Sequence, residues 1–105
     1  MRLAAEEMLT GPSPVTAIFA GNNRVTVTAV RVLAECDRRI ALVGFDDIEL
    51  ADLHGITVIS QDAAAVGRTA AEHLFRRLDG AAHPPARVEL PTRLIPRGSG
   101  ELPPA

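Results

Sequence analysis

Lysine, tryptophan and tyrosine are absent from this 105-residue sequence, which also has only one cysteine and three phenylalanines. Because all eleven basic residues are arginines, Schiff-base chemistry and a phosphate-binding-loop lysine are excluded. Cys36, the single cysteine, cannot form an internal disulfide, and we expect it to pack as a small apolar residue. This cysteine usage indicates a cytoplasmic protein.

Strong net charge and long apolar runs are missing as well. The formal net charge is −2, and the few aromatic side chains offer little for base stacking, so we do not expect this segment to bind nucleic acid directly. No apolar run approaches the ~18 residues that a membrane span needs, and the N-terminus does not resemble a signal peptide. The length predicts one small domain.

The apolar pattern predicts alternating helices and strands. Helices are predicted at residues 2–9 and 62–78, and Asp62 is a candidate N-cap of the second. Residues 24–36 are ambiguous, because the pattern alone favours a strand at 25–28 and a helix at 29–36. The remaining predicted segments are strands 15–20, 40–43 and 56–59, an extended segment 88–95 broken at Pro91, and a frayed tail 98–105.

This alternation predicts an α/β fold with a layered, parallel-type sheet flanked by helices. In such sheets, ligands bind beyond the carboxyl ends of the strands. Three polar loops leave predicted strands there, at residues 21–23, 44–47 and 60–62. Their convergence predicts a binding site at this edge of the sheet.

Two adjacent acids, Asp46 and Asp47, follow the strand that ends near Gly44. The residues themselves leave several interpretations open. The two acids could form a turn or cap, a metal site with Asp62 as the nearest further acid, a general acid/base pair, or hydrogen bonds to a polar ligand. We attribute Gly44 to the backbone conformation after the strand.

No cofactor and no metal are predicted. The three histidines, His54, His73 and His83, do not have the spacing of a zinc motif, and we expect each to be structural or solvated. Ser99 has no partner base in the sequence, which makes it a poor candidate nucleophile.

Four phrases, in this order, resemble the C-terminal part of LacI/GalR-type transcriptional regulators: VTAIFAGNN, ALVGFDDIELADL, ITVISQD followed by VGRTAAEHLFRRLDG, and LPTRLIPRGSG. The resemblance runs from about residue 14 to residue 100. It implies a partial periplasmic-binding-protein-like (type I) sensor domain rather than an enzyme. It also implies that residues 23–36 form a helix, against the strand favoured by the pattern at 25–28.

The resemblance further implies roles for individual residues. Asn22, Asp46 and Gln61 match the positions that contact a small effector, sugar-like in many members, whereas Asp47 is expected to be a turn or cap residue. Val27 and Val30 match the helix at the homodimer interface. DNA would be bound only through an N-terminal helix-turn-helix that this chain lacks.

In domain terms, the resemblance assigns about 1–61 and 92–97 to the C-terminal lobe of the sensor. Residues 62–90 would pack on an N-terminal lobe absent from this chain, and 98–105 would be a tail. Two alternatives remain: a sugar-binding protein of a transport system with the same fold, and a small α/β enzyme using Asp46 and Asp47.

Overall fold

The computed structural model describes residues 2–80 and 84–104. The helices are α1 (Arg2–Thr10), α2 (Asn23–Ala34), α3 (Ala63–Leu78) and a short 3-10 helix (Ser99–Glu101), and the strands are β1 (Ala17–Ala20), β2 (Ala41–Phe45), β3 (Thr57–Gln61) and β4 (Thr92–Ile95). His83, for which a structural or solvated role was predicted, lies outside the described residues.

The sheet has the strand order β1-β2-β3-β4. Strand β1 is parallel to β2, with Ala17 opposite Ala41 and Ala20 opposite Gly44. Strand β2 is parallel to β3, with Val43 opposite Thr57. The carboxyl ends of these three strands therefore meet at one edge, and the predicted α/β sheet flanked by helices is confirmed.

Helix α2 covers the ambiguous segment, so the strand that the pattern favoured at 25–28 is wrong and the helix implied by the resemblance is confirmed. Asn22 caps this helix, because its side chain accepts a hydrogen bond from the Val25 amide. Thr26, Ala29 and Val32 are buried on one face. Burial of this face overrides the low helix propensity of β-branched residues.

The chain divides into two compact units, Met1–Ser60 with Arg93–Ala105 and Gln61–Thr92. The first unit contains the buried core, which joins α2 to the inner strands. Cys36 packs against a second apolar cluster around Leu9, Val32 and Ile40, as expected of a small apolar residue. The core residues of the main cluster are Ala20, Ala29, Leu42, Ala51, Ile56 and Val58.

Gly44 lies inside β2 and allows α2 to approach the sheet closely. A Cβ at this position would lie 2.7 Å from Oγ1 and 3.0 Å from Cγ2 of Thr26, whose side chain is fully buried. Gly44 does not have a positive φ. The explanation from backbone conformation is therefore wrong, and the requirement is one of space.

Residues 98–101 are not a frayed tail, contrary to the sequence prediction. The Ser99 hydroxyl accepts a hydrogen bond from the Thr57 amide (2.8 Å) and donates one to the Leu42 carbonyl (2.6 Å). It thus bridges β2 and β3 where these strands begin. A Cβ on Gly100 would lie 2.8 Å from Cγ2 of Val43, so the segment packs tightly against the sheet.

The second unit is built around α3, which begins after the predicted cap. The Asp62 side chain accepts a hydrogen bond from the Ala65 amide. None of the residues of α3 is buried, and its larger apolar side chains remain exposed: Val66, Leu74, Phe75 and Leu78. The apolar side chains of this helix are therefore left exposed in this chain.

Candidate ligand-binding site

Asn22 and Asp46 both follow strands that end at the same edge of the sheet. Ala20 and Gly44 are opposite each other in the ladder between β1 and β2, and Asn22 and Asp46 each come two residues later. The register therefore brings the two residues to equivalent positions beyond neighbouring strands. This is the edge at which α/β sheets bind ligands.

The capping role of Asn22 fixes its side chain. Its Oδ1 accepts from the Val25 amide at 3.0 Å, and its backbone carbonyl accepts from the Thr26 hydroxyl, also at 3.0 Å. The residue is exposed. Because capping uses Oδ1, the side-chain NH2 group is the part of Asn22 that is suited to donate to a ligand.

Asp46 adopts a left-handed backbone conformation, with φ of 78°. Its amide still donates to the Ile59 carbonyl at 2.8 Å, so it continues the ladder between β2 and β3 by one bond before the chain turns away. Its side chain is half-buried. Left-handed conformations of residues other than glycine are uncommon, and aspartate is among the residues that tolerate them.

Asp47 is held by Arg97, which donates Nη1 to Oδ1 at 2.8 Å and Nη2 to Oδ2 at 2.9 Å. Nη1 also reaches the Ile56 carbonyl at 3.3 Å. The hydrogen bonds from the guanidinium, together with its charge, lower the pKa of Asp47 below its ordinary value, although partial burial opposes this. Asp47 is therefore an ion-pair partner, not the simple turn or cap residue that was predicted.

The contribution of this ion pair to stability should disappear in acid. Because the folded-state pKa of Asp47 is lowered, the pair stabilises the protein above the unfolded pKa of about 3.9 and loses its effect as the pH falls through the folded-state value. We expect the difference in unfolding free energy between wild type and Asp47→Asn to be constant near neutral pH and to shrink towards zero as the pH falls from about 5 through the lowered folded-state pKa, as measured in urea titrations. Glu49→Gln is the control for loss of one exposed acid, and a pH-independent difference for Asp47→Asn would contradict the assignment.

Gln61, the third predicted contact residue, is the last residue of β3 and is exposed. It belongs to the second compact unit, whereas Asn22 and Asp46 belong to the first. Its place at the end of a parallel strand agrees with the expected strand-end position. Its role in ligand binding remains a prediction.

The other interpretations of the two acids gain no support from the described residues. Asp46 and Asp47 have different environments, because Asp47 is engaged by a guanidinium. Within residues 2–80 and 84–104, no group of three or more His, Cys, Asp or Glu side chains is arranged to hold a metal ion. His73 is half-buried and lines a groove between α3 and residues 86–90.

Sequence reasoning missed the structural roles of Arg97, which pairs with Asp47, and of Ser99, which bonds at the beginnings of β2 and β3. The segment Gly98-Ser99-Gly100 has the composition of a flexible tail, and this composition concealed its packing against β2 and β3. The signal that could have revealed this packing is a serine between two glycines. Glycines allow the chain to approach a strand closely, and the hydroxyl can bond to the backbone groups of that strand.

Comparison with known proteins identifies the family. Residues 1–100 match the periplasmic binding protein-like domain. The chain belongs to this family.

The sequence relatives of this periplasmic binding protein-like chain are regulators. The HTH-type transcriptional regulator PtxS of Pseudomonas aeruginosa is 38% identical over 95 residues, which cover 85% of this chain and 28% of PtxS. The HTH-type transcriptional regulator CelR of Thermobifida fusca is 35% identical over 104 residues, covering 92% of this chain and 30% of CelR. The chain thus spans less than a third of the length of these relatives.

A solved structure of the transcriptional regulator CelR in complex with cellobiose has the same fold. It superimposes with a TM-score of 0.82 at 33% identity and covers 94% of this chain and 32% of the CelR chain. The resemblance to LacI-type regulators is confirmed by these comparisons. The named relatives are transcriptional regulators.

The two predicted interface residues lie on one side of α2 in this periplasmic binding protein-like fold. Val27 is 41% exposed and Val30 is half-buried. Both line an apolar groove of about 270 Å³ between α2 and residues 48–56. Leu50 and Leu53, in the connection from β2 to β3, are exposed large apolar residues of the same unit.

In the described part of the chain, no helix is long and apolar enough to cross a membrane.

Proposed function

We propose that this chain is the effector-binding and dimerisation part of a LacI-type transcriptional regulator, with Asn22 and Asp46 as ligand-binding residues. The observation that carries the proposal is their equivalent register at the exits of β1 and β2, in a chain of the periplasmic binding protein-like family. On this proposal, the protein works in the cytoplasm and binds DNA through a helix-turn-helix outside this chain.

The chemistry of these residues favours a polyol such as a sugar. An ionised aspartate accepts hydrogen bonds from two hydroxyl groups, and bonds to a charged acceptor are stronger than neutral ones. The NH2 group of Asn22 supplies a donor for a ring or hydroxyl oxygen. Cellobiose, the sugar in the CelR complex, belongs to the chemical class that this arrangement would accept.

The proposal also assigns roles to the two compact units. Residues of the first unit would form the C-terminal lobe of the sensor, and α3 with residues 84–90 would pack on an N-terminal lobe that this chain does not contain. The uncovered apolar face of α3 supports this assignment. Gln61, where the first unit gives way to the second along the chain, is proposed as a third ligand contact.

A ligand screen on the full-length gene product tests the function. The reading frame upstream of the Met1 codon is expected to encode a helix-turn-helix, and at least one mono- or disaccharide in a panel that includes cellobiose should raise the melting temperature saturably. A ligand at 100 times its Kd stabilises a protein by about 2.7 kcal/mol. A secretory signal in that frame would favour a transport protein instead, and no shift with any sugar would contradict a sugar effector.

Substitution of Val27 tests the proposed dimer surface. Val27→Asp places a charge on the exposed apolar side of α2, and we expect it to weaken self-association at least tenfold in sedimentation experiments, because burying an unpaired charge costs more than about 1.4 kcal/mol. Leu3→Asp is the control, since Leu3 is an exposed apolar residue of α1, a helix to which the proposal assigns no interface. Equal loss of association in the two variants would contradict a specific role for α2.

A further inference from the structure

The connection from β2 to β3, residues 46–56, is joined at both ends by a single side chain. Arg97 pairs with Asp47 at its beginning through two hydrogen bonds of 2.8 and 2.9 Å. The same guanidinium donates to the Ile56 carbonyl at its end. A planar guanidinium makes this fork of parallel bonds with a carboxylate, which an ammonium group cannot reproduce.

The backbone of Arg97 is itself held against the start of β3. Its amide donates to the Thr57 hydroxyl at 3.1 Å, and the next residues pack on the sheet through Ser99 and Gly100. Its side chain is only 17% exposed. The guanidinium therefore extends from a rigid base and can hold a neighbouring loop in place.

The loop that it holds carries Asp46 in its left-handed conformation. Such a conformation persists only where the surrounding structure determines it. Two contacts lie on either side of the residue: the bond from its own amide to Ile59 and the pairing of the next residue, Asp47, with Arg97. The first restrains the peptide plane before Asp46 and the second restrains the residue after it, so both restrict the backbone that carries the Asp46 side chain.

We propose that Arg97 is a positioning residue for ligand recognition, which fixes the Asp46 carboxylate at the exit of β2 by pairing with Asp47. The inference rests on the proposed function of Asp46. Arg97 does not touch the ligand in this account; it acts through Asp47.

Hydrogen exchange on the 105-residue chain tests the positioning without any ligand. The Arg97→Lys variant keeps the positive charge but loses the paired hydrogen bonds to the Asp47 carboxylate. We expect exchange of the Asp46 amide to accelerate by about three- to tenfold relative to core amides of the same sample, because local opening becomes easier. Asp47→Asn tests the same contact from its other partner. Arg93→Lys is the matched control, since it makes the same replacement at an exposed arginine of the same C-terminal segment, and it should change Asp46 no more than the core amides.

Sugar titrations of the full-length gene product give the second readout. With cellobiose, or whichever sugar of the panel binds, Arg97→Lys should raise Kd about three- to tenfold, and this effect should vanish in an Asp46→Asn background. Equal effects of Arg97→Lys and Arg93→Lys on both readouts, or an unchanged Asp46 amide in Arg97→Lys, would overturn the inference. If the wild type binds no sugar, the proposed function fails, while the exchange result still decides whether Arg97 holds Asp46.

Discussion

Replacing Asp46 with asparagine is expected to weaken sugar binding by about ten- to hundredfold while the protein stays folded. A hydrogen bond to a charged acceptor contributes about 1.5–3 kcal/mol, and each 1.4 kcal/mol is about a tenfold change in Kd. Asparagine tolerates the left-handed conformation that Asp46 adopts, so the backbone should survive the change. Isothermal titration calorimetry with the sugar that gives the largest thermal shift measures the effect.

Glu49→Gln is the matched control for this experiment. Glu49 is an exposed acid in the same connection, and its loss changes the net charge by the same amount. We expect its Kd to stay within about twofold of wild type, since exposed charges away from the ligand contribute little at physiological salt. If Asp46→Asn binds as tightly as Glu49→Gln, Asp46 does not accept a hydrogen bond from the ligand.

Replacing Gly44 with alanine is expected to destabilise the first compact unit by about 1–3 kcal/mol, the usual cost of overpacking a well-packed core. The new methyl group would lie 2.7 Å from the Thr26 hydroxyl, and Thr26 cannot move away easily because it is fully buried and bonded to the Asn22 carbonyl. Relief of the clash would displace α2 from β2. Urea denaturation followed by circular dichroism measures the loss.

A second substitution identifies the cause. Thr26→Ala removes both atoms nearest to the new methyl group, so Gly44→Ala should cost less in the Thr26→Ala background than in wild type, with a coupling energy of about 1 kcal/mol or more. Gly21→Ala is the control, because a Cβ at Gly21 meets no atom within 4 Å. Strict additivity of the two substitutions would contradict the steric explanation.

Element types were largely predictable from the sequence because the buried faces have clear periods. Helix α3 has a cap at Asp62 and an apolar stripe, and β2 is an apolar run that ends at a polar loop. Helix α2 was the exception in pattern reasoning: its β-branched residues alternate as in a strand, and only the family resemblance indicated a helix. Of the deciding physical terms, the Asn22 cap is local, whereas the burial of Thr26 and Ala29 depends on the tertiary fold.

The location of the candidate site could be predicted from the sequence, but the contacts that hold its loop in place could not. Polar residues at strand exits identify Asn22 and Asp46, because parallel strands bring their carboxyl ends together. The ion pair that holds Asp47, next to Asp46, comes from Arg97, 50 positions further along the chain, in a segment whose glycines and serine indicate flexibility. Long-range hydrogen bonds of this kind have no local sequence period, so pattern reasoning cannot detect them.

The most direct test of the central claim is to map a bound sugar by heteronuclear NMR on the isotopically labelled full-length gene product. The account predicts that the largest amide shift changes on titration include Asn22 and Asp46 at the exits of β1 and β2, with the residues adjoining them. Changes confined to the α2 face around Val27, or to residues remote from the strand exits, would contradict it.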